Sequence, residues 1–413
     1  MRLKTASKVI LGLAVVIFIT ARFLTLDNTS KLEKSSDLLI SETQSSNKLT
    51  QQLSFYGPHQ AGITTPIQPH ALYLGLNLNK NSRTPDDVES VLRLLSDDIA
   101  SLMSAQPVLG TDPAPMIASS PASISVNVGV GASTFKILSL KPPTALNPLP
   151  TFDKMDNLDP KFNTTDFVLS ITAADQLVLA HATRVITHDL STLVDTIWTQ
   201  QGFRGSAAPL SMGEAHRTLM GWVEGIESPD PADYDQVIWS KDDPLTSSGT
   251  YLALRRIQFD MDKWEALDPQ AQDLVIGRTR DDSVPLSGKA ASDKADCSAR
   301  DTNGLTKIPS SAHICAVNSQ MPDHSRDAGA LILRRSFNFL TPNTTSTPGE
   351  SGLIFASYTN DPQNIFIPML KGLNQSDSLN AWSKHTGSAL YFILPGATSG
   401  HILGEELLNA SRK

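Results

Sequence analysis

The stretch from Leu72 to Met103, LYLGLNLNKNSRTPDDVESVLRLLSDDIASLM, carries two different periods side by side. Leu72, Leu74, Leu76 and Leu78 fall on alternate positions, the two-residue repeat of a half-buried strand. Thr84-Pro85 followed by Asp86 and Asp87 is a helix start: a capping hydroxyl, a proline where its missing N–H leaves no bond unmade, and two acids at the positive end of the dipole. Val88, Val91, Leu92, Leu95, Ile99 and Leu102 then recur at helical spacing. A half-buried strand feeding an amphipathic helix is α+β grammar.

The same grammar returns on both sides of this stretch. Ile124, Val126, Val128 and Val130 alternate as a strand; Phe167 to Ala173 reads as a strand and Ala174 to Leu190 as a helix. A Gly-, Ser-, Ala- and Pro-rich stretch between about Gly202 and Ser211 reads as a linker. Beyond it, Thr250 to Phe259 is a strand and Met261 to Leu267 a short helix start. Ala330 to Leu340 and Leu353 to Thr359 read as strands, Leu379 to Lys384 as helical and Ser388 to Leu394 as a strand. Long apolar runs of an all-parallel sheet are missing. The simplest reading is two α+β units of similar size, 55–205 and 206–413.

The N-terminus follows a different logic. Arg2, Lys4 and Lys8 precede an apolar run from Val9 to Thr20, continued by Phe23 and Leu24. Basic residues before a short apolar run form a signal-peptide or signal-anchor pattern over residues 1–26, which implies export to a periplasmic or extracellular location. The run is shorter than the ~20 residues of a comfortable span, and no small-x-small cleavage site stands out, so an uncleaved membrane anchor stays open. Residues 27–54 read as a polar linker. The 413 residues carry a net charge of -8, with no basic surplus to neutralise phosphates, which excludes nucleic acid as a partner. Two cysteines, Cys297 and Cys315, are too few for a disulfide scaffold or a four-thiolate metal site; one disulfide or two free thiols both remain open. N-x-S/T sequons stand at Asn28, Asn163, Asn343, Asn374 and Asn409 and matter only in a host that glycosylates.

Spacing alone is quiet about chemistry. There is no P-loop, G-x-G-x-x-G, H-E-x-x-H or G-x-S-x-G. His181 and His188 lie two turns apart on a helix, a weak metal signal outweighed by an ordinary surface or core role.

Several short segments in a fixed order say more. They are FYGPHQAGI (Phe55–Ile63), GWVEGIESP (Gly221–Pro229), SGTYLALRRI (Ser248–Ile257), IGRTRDDSVPL (Ile276–Leu286), AHICAVNSQ (Ala312–Gln320), LILRRSFNF (Leu331–Phe339), GLIFASYTNDPQNIFIP (Gly352–Pro368) and HTGSALYFILPG (His385–Gly396). Together they resemble the dye-decolourising haem peroxidases, in the exported class linked to iron uptake. The resemblance implies a pair of ferredoxin-like α+β units with antiparallel sheets and haem b, one per chain, held in the second.

It also implies roles. His313, in the place of the family's H-I-R histidine, would ligate the haem iron. Glu224 occupies the position of the aspartate in G-x-x-D-G, between Gly221 and Gly225, glycines that suit a backbone lying close to a flat ligand. A carboxylate there would move a proton between the peroxide oxygens. Arg334, the first arginine of L-R-R, would stabilise the developing negative charge, and Arg335 should point to the opposite face. His59-Gln60 reads first as structural support. Trp222, Trp239, Trp264, Trp382 and Tyr251 read mainly as core, with electron relay to bulky donors as the lesser possibility.

Departures from the family pattern matter equally. Glu224 reaches about 1.5 Å further than an aspartate, and a displacement of order 1 Å can cost about a hundredfold in rate. Cys315 and Asn318-Ser319-Gln320 stand where the family has arginines suited to haem propionates. The twin-arginine export signal usual in this class is missing. The leading expectation is a peroxidase that uses hydrogen peroxide to oxidise an organic reducing substrate such as a dye or phenolic. Haem binding or delivery with little turnover, including iron release of the deferrochelatase kind, is the alternative, and a cofactor-free interaction protein a third. Assembly into a homo-oligomer is left open.

Overall fold

A computed structural model describes residues 51–413, apart from 81–82, 109, 111, 119–122, 206–215, 242, 322–330 and 345–348. The signal or anchor segment 1–26, most of the 27–54 linker, Asn28, Ala330 and most of the stretch after Gly202 lie outside the described residues.

Eight antiparallel strands close on themselves. In chain order the strands are β1 (His70–Leu78), β2 (Ile124–Val130), β3 (Phe167–Ala173), β4 (Val194–Phe203), β5 (His216–Arg217), β6 (Val223–Glu224), β7 (Thr250–Phe259), β8 (Leu333–Arg334), β9 (Phe337–Thr341), β10 (Glu350–Thr359) and β11 (Ser383–Ile393). The main sheet runs β7-β11-β2-β3-β1-β4-β9-β10-β8, and β10 pairs again with β7, so among the described residues no long edge is left open. β5 and β6 form a separate two-stranded ribbon. This is the α+β, antiparallel, barrel-like architecture expected.

Strand alternation sorts side chains between two cores. Leu74, Leu76 and Leu78 of β1 pack with Val126, Val128 and Val130 of β2 beneath helix α1 (Pro85–Met103) and helix α2 (Gln176–Asp189). Ala71 and Tyr73 point the other way, into a second core with Val168, Trp198, Leu254, Phe337 and Tyr391. β1 is therefore buried on both faces rather than half-buried, because closure of the sheet covers the face an open sheet would leave to water. Gly75 belongs to this inner packing: a Cβ there would stand 2.2 Å from the Trp198 indole.

Helix α1 begins as its sequence dictates. Thr84 accepts from the Asp87 backbone N–H, and the Asp87 carboxylate accepts from the Thr84 backbone N–H, closing a capping box. Its buried face carries two polar residues, Ser96, whose hydroxyl donates to the Leu92 carbonyl, and Asp98. Asp98 is 2% exposed, and its Oδ2 has no hydrogen-bond partner. Burial, followed by the charges of Asp189 and Asp97, raises its pKa to about 7. A folded-state pKa above the unfolded value means that the protonated form is favoured by folding. The stabilisation is complete below about pH 4 and is lost as pH rises towards 7. Asp98→Asn is thus expected to raise stability at pH 8 by up to about 4 kcal/mol and to have little effect near pH 4. Urea unfolding at the two pH values checks this; an equal effect at both would refute it.

Two boundaries and two elements differ from the sequence reading. The strand expected over Ala330–Leu340 is broken into β8 and β9 around Arg335 and Ser336, although both pieces pair with β10. The segment Leu379–Lys384 is not helical throughout: one 3-10 turn (Ser378–Ala381) leads directly into β11 at Ser383. Strand β4 and a helix over Ile367–Ser376 emerge where no periodic signal stood out.

Candidate active site

The outer face of β1–β3 is covered by α1 and α2, but the outer face of the second half of the barrel is hollow. Arg255, Ile257 and Phe259 of β7, Leu353 and Phe355 of β10, and Ser383 and His385 of β11 line this hollow. The register aligns them, pairing Arg255 with Phe355 and Ile257 with both Leu353 and His385. The roof comes from helix α3 (Pro269–Ile276), the one-turn helix α4 (His313–Ala316) and helix α5 (Ile367–Ser376), which contribute Ile276, His313, Ile314, Met369, Leu370 and Leu373. The space between these walls, open solvent at its mouth included, is about 1480 Å³.

His313, Glu224 and Arg334 all line this one cavity. His313 opens α4 and keeps 38% of its side-chain surface accessible, turned to the hollow. Gly372 permits the close seating of α5 on α4, since a Cβ there would lie 2.3 Å from the Ala316 carbonyl oxygen. The Nδ1 of His313 stands 2.7 Å from Asp377 Oδ2. Asp377 is itself fixed, its Oδ1 accepting the Leu379 N–H at 2.9 Å. A carboxylate only accepts, so Nδ1 carries the proton and Nε2 keeps its lone pair for a metal. Burial alone would lower the His313 pKa; the charge and hydrogen bond of Asp377 outweigh it, Arg334 opposes weakly, and the net shift is upward.

A second histidine on the cavity wall has the opposite tautomer. Arg255 Nε donates to His385 Nδ1 at 2.8 Å, which places the His385 proton on Nε2. Burial, and then the Arg255 charge, hold its pKa well below the ordinary value. Of these two cavity imidazoles, only His313 presents a free lone pair.

Glu224 is delivered by the ribbon β5–β6, where it pairs directly with His216. Gly221 makes the ribbon's turn at φ +103° and does not line the cavity; Gly225, at φ +94°, does. Left-handed backbone, beyond close approach to a ligand, accounts for both glycines. Glu224 Oε1 lies 3.5 Å from Arg334 Nε and 3.5 Å from Ser336 Oγ. Glu224 Oε2 lies 3.6 Å from His216 Nδ1, too far for a hydrogen bond. Burial and then Arg204 depress the His216 pKa to about 2, so this imidazole is neutral. Arg334 is anchored by its Nη2, which donates to the Glu227 carbonyl at 2.5 Å. Glu224 Oε2 and Arg334 Nε are both buried and both lack a hydrogen-bond partner. A ligand carrying a polar group could satisfy both atoms.

Other sequence candidates fall elsewhere. Arg335 is buried away from the cavity, with Nε donating to the Ile63 carbonyl. Gln60 bridges the Val128 and Leu394 backbones, and His59 stacks on Trp239 with centroids 3.6 Å apart, so both support structure. Trp222 is the exception: it lines the cavity and packs edge to face on Trp264, which lies in the core beside it. His181 is buried near Asp112 and His188 exposed near Asp189, and among the described residues no cluster of three metal-ligating side chains occurs. Asp377, His385, Arg255 and His216 escaped the sequence reading.

A closed antiparallel α+β sheet, with one metal-ready imidazole, a carboxylate and a guanidinium on a large apolar cavity, defines a haem enzyme of the ferredoxin-like barrel class. The chain belongs to the Dyp-type peroxidase family: the N-terminal family model matches residues 60–204 and the C-terminal model residues 215–398. It is 31% identical over 365 residues to the dye-decolorizing peroxidase of Thermobifida fusca, covering 84% of this chain and 83% of the relative. It is 29% identical over 387 residues to the deferrochelatase of Shigella boydii, covering 89% of each. The crystal structure of a DyP-type peroxidase from Cellulomonas bogoriensis superposes with a TM-score of 0.81 at 34% identity, covering 87% of this chain and 99% of that one. Membership makes the protein a haem-dependent peroxidase, an oxidoreductase using hydrogen peroxide to oxidise an organic donor.

Proposed function

We propose that the protein is an exported haem b peroxidase in which His313 would hold the iron, Glu224 would move the proton and Arg334 would stabilise the charge that develops on the peroxide. One observation carries the assignment: His313, Glu224 and Arg334 line a single, mostly apolar cavity, and Glu224 Oε2 and Arg334 Nε are buried without a hydrogen-bond partner. The residues fit haem, whose flat apolar ring suits the Ile, Leu, Met and Phe walls. When bound, haem supplies the iron centre that takes up peroxide and accepts its oxidising equivalents.

The chain's own residues do the rest. The Asp377 carboxylate holds the proton on His313 Nδ1, orienting the ring and raising its basicity as a ligand. Glu224 Oε2 receives a proton from the incoming peroxide and returns it to the leaving oxygen. Arg334, fixed at Nη2, offers its Nε–H to the charge that develops as the O–O bond breaks. Apolar side chains around them keep bulk water out, which strengthens these contacts.

Haem reconstitution of residues 53–413 tests the reading. The expected result is a histidine-ligated Soret band together with peroxide-dependent dye oxidation; haem binding with no oxidation from pH ~3 to ~8, a range spanning the carboxylate and imidazole pKa values, would reject it. A second reading is motivated by the deferrochelatase relatives: iron release from haem in the same cavity. Free porphyrin among the products, in the absence of dye oxidation, would favour it.

Export is supported by the basic-then-apolar pattern of residues 1–26 and by the disulfide between Cys297 and Cys315, a bond that persists in oxidising compartments. Among the described residues no helix is long and apolar enough to cross a membrane, so anchoring rests on that N-terminal segment. Homo-oligomer formation is an expectation from the family resemblance, tested by light scattering of the holoprotein.

A further inference from the structure

From Gly277 to Ala312 the chain forms no helix or strand, only the isolated bridges Arg278–Pro285 and Arg300–Thr306. This long irregular segment delivers His313. Its satellite core is small: Ile308, Ala312 and Cys315, flanked by Leu286, Ala295 and Ile314. Beyond that core, the approach to α4 is tied by Ser311, which meets Ser378 through one backbone and one hydroxyl hydrogen bond, each 2.9 Å. The His313–Asp377 hydrogen bond and the seating of α5 on α4 hold the far side, and one further tie is covalent. Cys297 and Cys315 are joined across 18 positions, so the ring they close contains His313, two residues from the bond. Neither cysteine lines the cavity. The bond therefore acts on a ligand there only indirectly, through the segments it joins, of which the one ending in Cys315 carries His313.

We propose that the Cys297–Cys315 disulfide is a positioning element for His313, holding the iron-ligand segment in register where Cys315 replaces the arginine of the family's H-I-R motif. The inference rests on the assignment of His313 as the ligand. A cross-link confines the ends of an irregular loop that otherwise has many conformations to lose. The ligand then sits pre-placed beneath the cavity, so less ordering entropy opposes haem capture. Cys297 is only partly buried, which leaves the bond open to reductants. A trialkylphosphine would break it with balanced chemistry: phosphorus attacks one sulfur, the S–S bond cleaves, water supplies the oxygen of the phosphine oxide, and its two protons end on the two thiols.

The test uses the full haem-loaded protein. Haem transfer to excess apomyoglobin and the ferrous iron–histidine stretching band are measured before and after phosphine treatment, and again in a Cys297→Ser/Cys315→Ser variant. The expected result is haem loss at least about tenfold faster on reduction, in the range seen when groups supporting a metal ligand are removed. The iron–histidine band should broaden or shift. The double variant should match the reduced protein and respond no further to phosphine. Should that variant fail to fold, the phosphine arm on folded wild-type protein still decides. Unchanged haem transfer and an unchanged band after proven reduction would overturn the proposal, as would an equal phosphine effect in the double variant. If the oxidised protein itself showed no iron–histidine band, the ligand assignment would fall first and the positioning role with it.

Discussion

Replacing His313 with alanine is expected to abolish the histidine-ligated spectrum of the haem-loaded protein and to remove peroxide-dependent oxidation. The loss should exceed the roughly 10–100-fold typical of removing a group that merely supports a metal ligand. Asp377→Ala, which leaves the imidazole but releases its Nδ1 proton from the carboxylate 2.7 Å away, should fall within that smaller range. The comparison matters because a second histidine faces the same cavity. His385 has its proton on Nε2, forced there by Arg255 donating to Nδ1, and so has no lone pair to offer from that atom. His385→Ala should therefore keep the Soret band. Added imidazole should restore a six- or five-coordinate imidazole spectrum to the His313→Ala protein by filling the space vacated on the cavity wall. Absorption spectra of the three variants decide the matter. An unchanged band in His313→Ala, or its loss in His385→Ala with His313 intact, would reassign the ligand.

How much of this was written in the sequence depends on the range of the interactions. Strands β1, β2, β3 and β7 and helix α1 are legible because each is decided locally, by a two- or 3.6-residue period and a capping box within four residues. The break between β8 and β9 is not, since it follows from Arg335 turning to the Ile63 carbonyl, 272 positions away in the chain. The two-sided burial of β1 likewise depends on closure of the sheet by β7–β10 pairing, which no local period records. At the site, His313, Glu224 and Arg334 were found through short motifs in a fixed order. Their partners were not: Asp377 lies 64 positions from His313 and Arg255 lies 130 from His385. His216 had a local signal that went unused, a histidine facing Glu224 across a short ribbon turned by Gly221. The pairing of Cys297 with Cys315 was one of two open readings until the geometry joined them.

Glu224→Gln should leave haem ligation intact and slow the peroxide reaction by about 10²–10⁴-fold, the ordinary contribution of a positioned proton carrier. The amide nearly preserves shape, so the contacts of Oε1 with Arg334 and Ser336 survive. What disappears is the proton acceptor at the second atom, whose oxygen has no other hydrogen-bond partner to satisfy it. Arg334→Leu removes the neighbouring guanidinium, whose Nε lies 3.5 Å from Oε1. Because the two groups serve one bond cleavage at that separation, the double variant should lose much less than the product of the single losses, the behaviour of residues acting as a unit. Stopped-flow measurement of the peroxide-dependent spectral change, with the Soret band as control, gives each rate. If Glu224→Gln reacted within threefold of wild type, the carboxylate would be an inherited loop acid. Strictly multiplicative losses would separate the guanidinium from the proton transfer and leave the two side chains as neighbours without a shared task.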